Sequence, residues 1–182
     1  MVRMRKFKWV LMAAALGALV SLSACHFPNP VTEPCPTFGI LGDAEQMTAF
    51  NGTSRDLTAV EYRASLAGAS LSCYYNHDKR RPAVKGALKV NLSVERGPAL
   101  SSTEIKVPYF VAVLRGTKYV LARDEFSETF DLKQGARVAA EEEVPVTIPL
   151  AKNMRGDNYQ VVVGIILTPA EVDYNRAQST GH

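Results

Sequence analysis

Few residues in this sequence have side chains whose chemistry goes beyond packing. They are three cysteines (Cys25, Cys35, Cys73), three histidines (His26, His77, His182) and two acidic runs. Nucleophilic catalysis needs a nucleophile with a base in reach. His77 is the one histidine away from the chain ends, in a polar stretch, and no Gly-x-Ser-x-Gly elbow accompanies it. It reads as a solvated loop histidine. There is no Cys-x-x-Cys and no His-Glu-x-x-His, so zinc is not expected. Asp124, Glu125, Glu128 and Asp131 form one acidic run and Glu141-Glu142-Glu143 the other. Neither has the alternating loop with a central glycine that binds calcium, and both read as charged strand ends. Carboxylates distant in sequence can still meet as a pair, which keeps a hydrolase open as a third reading. Gly39-Ile40-Leu41-Gly42 is too short for a phosphate loop and lacks its Lys-Ser/Thr pair; it reads as a turn or bulge. Asn51-Gly52-Thr53 reads as a turn. No metal and no cofactor is expected.

The N-terminus carries a different chemistry. Arg3, Arg5, Lys6 and Lys8 precede an apolar run from Trp9 to Val20, and Leu22-Ser23-Ala24-Cys25 follows. Basic, then apolar, then small residues is the layout of a secretory signal. The apolar run falls short of the roughly 20 residues of a membrane span. The Leu-Ser-Ala-Cys ending resembles the lipobox of bacterial lipoproteins. That resemblance implies cleavage after Ala24, a diacylglycerol on the Cys25 thiol and a third acyl chain on the new amine. By resemblance to enteric sorting, His26 in place of an aspartate after the lipidated cysteine implies the outer membrane, on its periplasmic face.

Four basic residues and no acidic ones lie in the signal, so the 21 basic and 18 acidic residues of the whole chain become 21 − 4 = 17 against 18. A net charge near −1 gives no case for nucleic acid, whose phosphates need a concentrated cationic excess. The mature chain of 182 − 24 = 158 residues suffices for one domain with a core.

With Cys25 committed to lipid, Cys35 and Cys73 remain in an oxidising compartment and read as one disulfide, with two free buried thiols as the alternative. Closing their 38-residue loop is worth about 4 kcal/mol in the chain-entropy model.

The elements that position these residues are mostly strands. Residues 25–36 hold Pro28, Pro30, Pro34 and Pro36 and read as an extended tether. Leu88, Val90, Leu92 and Val94 alternate with polar residues, the mark of a half-buried strand. Pro108 to Leu114 turns through Arg115-Gly116-Thr117 into Lys118 to Phe126 as a hairpin. Val144, Val146 and Ile148 alternate, while Pro145 and Pro149 push that strand to a sheet edge. Tyr159 to Leu167 is the most hydrophobic run and reads as a central strand.

In residues 57–75, Val60, Tyr62, Ala64 and Leu66 alternate, then Leu71, Cys73 and Tyr75, with Gly68 at a bend. Leu57, Val60, Ala64 and Ala67 also fit a helix. Thr168 as N-cap and Pro169 at the first helical position begin a helix of a turn or two. Together these predict an all-β, antiparallel β-sandwich of immunoglobulin or fibronectin III type over residues 37–176, with a frayed tail at 177–182.

Phe38-Gly39-Ile40-Leu41, Arg55-Asp56-Leu57-Thr58, Arg96-Gly97-Pro98-Ala99, Pro108 to Val113, Leu167-Thr168-Pro169-Ala170 and Tyr174-Asn175-Arg176 resemble a group of small, uncharacterised alphaproteobacterial envelope lipoproteins. The resemblance implies location and a β fold, and no mechanism.

His77 to Lys85 concentrates four cations, Lys79, Arg80, Arg81 and Lys85. They suit anionic headgroups or an acidic partner; a solvated loop that keeps the sheet end soluble is the plainer reading. The first reading of function is a non-enzymatic scaffold or accessory interaction module of the cell envelope. The rival is a carrier of a small apolar ligand between the sheets, with Ala64, Ala67, Ala69 and Ala112 facing inward across from aromatics.

Overall fold

The computed structural model describes residues 33–179. Residues 1–24, read from the sequence as a signal, Cys25, His26 and the expected tether as far as residue 32 lie outside the described residues, as do 180–182. Eight strands and one helix make up the domain: β1 (Thr37–Ile40), β2 (Gln46–Phe50), β3 (Val60–Asn76), β4 (Ala83–Arg96), β5 (Glu104–Arg115), β6 (Tyr119–Asp131), β7 (Arg137–Pro149), β8 (Tyr159–Ile165) and α1 (Pro169–Ser179). They form an all-β sandwich of two four-stranded sheets, ordered β1-β8-β5-β6 and β2-β3-β4-β7. Every pairing is antiparallel except β1 with β8, which is parallel.

The alternation in the sequence explains the layering. Leu88, Val90, Leu92 and Val94 of β4 are all buried, facing Val107, Val111, Val161 and Val163 of the other sheet in one apolar cluster. Burying each such side chain stabilises by about 1.5–3 kcal/mol. β8 lies between β1 and β5, a central strand as its composition predicts, and β7 is a sheet edge, where its prolines interrupt no inner ladder.

Residues 60–76 form one strand rather than a helix, and a bulge resolves their mixed pattern. Leu66 pairs with Leu92 but Gly68 with Asn91, so Ala67 is the extra residue. Before it the core-facing positions are even (Val60, Ala64, Leu66), and after it they are odd (Ala69, Leu71, Cys73). A one-residue bulge switches the set that faces the core. Leu57, which the helical reading would bury, belongs to a 3-10 turn and is 65% exposed.

Three expectations need correction. The second strand of the hairpin runs on to Asp131, and β7 begins at Arg137, so Glu125, Glu128 and Glu141 to Glu143 sit within strands rather than at their ends. The helix is longer than a turn or two: α1 spans 11 residues and takes in 177–179, which the sequence suggested as frayed tail.

Its start is the capping arrangement expected. The Glu171 N–H donates to Thr168 Oγ1 (3.4 Å), and Thr168 N–H donates to Glu171 Oε2 (2.7 Å). The helix is fastened by polar contacts rather than an apolar stripe. Asn175 Nδ2 donates to the carbonyls of Asp43 (3.1 Å) and Gln46 (2.7 Å), and Arg176 pairs with Asp43.

Candidate functional site

Two places collect the residues singled out above. The first is the end of the sandwich where the described chain begins. Cys35 and Cys73 are disulfide-bonded, with Cα atoms 5.8 Å apart. Tyr75, two residues on, donates from its hydroxyl to the Pro34 carbonyl (2.6 Å) and accepts from the Gly156 N–H (2.7 Å). A Cβ on Gly156 would overlap the Pro34 carbonyl oxygen, so only glycine lets this loop close on the entering chain. His77 continues the fastening: its Nε2 lies 3.2 Å from Glu33 and its ring stacks on Tyr75. The residue that read as a solvated loop histidine is exposed, yet engaged on both sides.

The cationic loop follows directly. Asp78 shapes it by accepting at Oδ1 from the Arg80 N–H (2.8 Å), while its carbonyl accepts from Arg81 N–H (3.1 Å). That leaves the Lys79, Arg80 and Arg81 side chains pointing outward and exposed, with Lys85 half-buried at the start of β4. Arg80, Arg81 and Lys85 border a shallow groove of about 450 Å³, whose floor includes Ala83, Pro149 and Leu150. The geometry suits a broad anionic surface better than a small enclosed ligand.

The second place escaped the sequence reading. Glu128 on β6 and Glu142 on β7 both occupy core-facing positions, between Phe126 and Phe130 and between Ala140 and Val144. β6 and β7 are edges of opposite sheets that approach one another, so the two carboxyls meet within hydrogen-bonding reach at the seam. Burial raises the Glu128 pKa above the usual carboxylate range, and the neighbouring Glu142 charge and hydrogen bond push it the same way. The Tyr109 phenol, buried behind them with its ring on Phe126 (5.4 Å), is pushed up to about 12 by burial and by both carboxylates. Extending the alternation through each strand would have placed both residues inward; only the tertiary approach of β6 to β7 brings them together.

Of the small residues suggested for an internal ligand space, Ala64 and Ala69 face the core and are packed there. Ala67 is the exposed bulge residue and Ala112 belongs to the outer face of its sheet, so neither lines the inter-sheet space. On that outer face Phe110 lies over Gly164, where a Cβ would meet the ring at 2.8 Å, and Arg123 stacks on Phe110 at 4.6 Å. Among the described residues, no group of three or more His, Cys, Asp or Glu is placed to hold a metal ion. No helix among them is long and apolar enough to cross a membrane. Comparison with protein-family models, curated proteins and solved structures finds no match for the chain.

Proposed function

We propose that this chain is a lipoprotein of the cell envelope, cleaved before Cys25, anchored through it to the periplasmic face of the outer membrane, and acting by contact with a partner rather than by catalysis. The order basic, apolar, Leu-Ser-Ala-Cys supports the anchor. The observation that carries the rest is the fastening of residues 33–35. A disulfide, the Tyr75 hydrogen bonds and the Glu33–His77 pair tie the start of the domain to β3. A module hung from a lipid needs its last tether residues fixed to its body, because otherwise the anchor holds the chain without orienting the domain. The two-layer architecture agrees with the immunoglobulin or fibronectin III type as a likeness of layers; the meander β2-β3-β4 gives it a strand order of its own.

The carrier reading draws less support, since the inter-sheet space is filled by Leu88, Val107, Val161 and their neighbours. The hydrolase reading draws less support too, since Glu128 and Glu142 face the packed core beside Phe126, Phe130 and Val144.

The experiment is metabolic labelling with a clickable fatty acid. The wild-type chain takes label, Cys25→Ser takes none, and density-gradient fractionation places the labelled protein with outer-membrane markers. Undiminished label on Cys25→Ser overturns the anchor, and recovery with inner-membrane markers overturns the location.

A further inference from the structure

We propose that the end of the sandwich from which the tether departs is a membrane-facing surface for anionic phospholipid headgroups, so that the anchor and this face together set the domain's orientation. The inference rests on the reading that Cys25 carries lipid.

Three loops share that end with residue 33, and hydrogen bonds knit them together. Leu150 N–H donates to the Pro82 carbonyl (2.9 Å), joining the β7–β8 loop to the β3–β4 loop. Gly116 N–H donates to the Asn158 carbonyl (3.0 Å), joining the β5–β6 turn to the β7–β8 loop. Tyr75 links Gly156 to Pro34. The loops therefore present one connected face rather than three independent tips.

Its charge is lopsided. Lys79, Arg80 and Arg81 project from the first loop, Lys118 from the second, and Lys152 and Arg155 from the third, all exposed. Against these six cations stand three acids, Glu33, Asp78 and Asp157, the last beside Arg155 (3.8 Å), so the face keeps an excess of 6 − 3 = 3 positive charges. Tyr74 and Tyr119, 63% and 65% exposed, stand on the strands beside the face, Tyr119 with the Arg115 guanidinium over its ring at 5.6 Å. At the opposite end the cations are interspersed with acids, as in the Arg176–Asp43 pair, and no comparable excess forms.

Chain length selects lipid as the occupant. Seven residues, and so eight Cα–Cα steps, separate Glu33 from Cys25, a length of at most about 28 Å when fully extended. The cationic face is therefore held near the bilayer by construction. Exposed charges act within about 8 Å at physiological salt, a distance that such a tether permits. Basic clusters beside an anchor are attracted to anionic leaflets in this way.

The test uses the full chain, processed in a bacterial host, purified from membranes and reconstituted into vesicles of phosphatidylcholine alone or of an equimolar mixture with phosphatidylglycerol. Intact mass first establishes the acyl chains on Cys25. Amine-acetylation rates are then read residue by residue by mass spectrometry. In phosphatidylglycerol vesicles Lys79, Lys118 and Lys152 should react about threefold more slowly than in phosphatidylcholine, and high salt should abolish the difference. Lys106 and Lys133, away from this end, should not change. The triple variant Lys79→Gln, Arg80→Gln, Arg81→Gln should lose the protection at Lys118 and Lys152 too, because the face docks as a unit.

Acylated protein with equal rates in both vesicles overturns this surface and leaves the anchor standing. A chain without acyl mass overturns the anchor and this surface together. Protection only in native envelope fragments would assign the face to an acidic protein and overturn the lipid.

Discussion

The carboxyl of Glu128 meets that of Glu142 across the seam where the edges of the two sheets approach, two like charges held within hydrogen-bonding reach. Because the folded-state pKa of Glu128 is raised, the folded chain holds that proton more tightly than the unfolded one. The associated stability is present at acid pH and is lost as pH rises through the raised value. Glu128→Gln should therefore stabilise the domain at pH 7, by under about 1 kcal/mol because the pair is only partly buried. It should have no effect below the ordinary carboxylate range. Urea unfolding at the two pH values measures this; equal shifts at both, or destabilisation at pH 7, would count against the seam repulsion.

Tyr109 carries the same sign to alkaline pH. Its phenol is raised from 10.0 to about 12, so its contribution is fully present below pH 10 and drains away between 10 and 12. The absorbance of tyrosinate should show a late step from Tyr109 near pH 12. Tyr109→Phe should remove that late step. If the late step persists in the variant, another tyrosine is the source.

Two glycines test close approach against opposite kinds of neighbour. Gly156→Ala pushes a methyl into the Pro34 carbonyl, a backbone atom tied down by Tyr75 and Cys35. It should cost about 1–3 kcal/mol. Gly164→Ala meets the Phe110 ring, which can swing aside, so its cost should be smaller and should be relieved by Phe110→Leu. Thermal melts of the three variants decide it. A larger cost at Gly164 than at Gly156 would contradict the view that the junction of Gly156 with Pro34 is the more rigid.

At the far end, Asn175 is buried and gives both amide hydrogens to carbonyls of Asp43 and Gln46. Asn175→Ala removes two hydrogen bonds made by a buried side chain and should cost about 2 kcal/mol. Thr168→Ala removes only an exposed cap and should cost about 1 kcal/mol. Denaturant unfolding that ranked the cap above Asn175 would mean the helix stands on its own N-terminus rather than on its polar contacts.

What the sequence made legible follows from how locally each feature is determined. β4 was readable because Leu88, Val90, Leu92 and Val94 alternate without interruption and all face one core. β3 was ambiguous because a single extra residue, Ala67, exchanges even for odd inward positions. That break in period 2 brought a helical spacing into view. β1 and β2, four and five residues long, are too short to show a period. The length of α1 was underestimated because nothing apolar marks it; Asn175 and Arg176 hold it through partners more than a hundred positions away. The same distance hid Glu128 and Glu142 as a pair. Each lay in a noted acidic run, but which edges face one another is a property of the assembled sheets.

The parallel pairing of β1 with β8 has a consequence for how the chain comes to be finished. Thr37 lies opposite Gln160, 123 positions later, and β1 has no other strand beside it in its sheet. A chain made from its N-terminus produces this strand first and its neighbour last, so the first strand waits without a ladder through nearly the whole of synthesis. The bond from Cys35 to Cys73 needs only 38 residues. Once formed, it moors the waiting strand beside β3 until β8 arrives. In sequence terms the domain is a ring closed by its two ends: trimming β8 takes away the only ladder β1 has, and trimming β1 leaves β8 an edge strand beside β5.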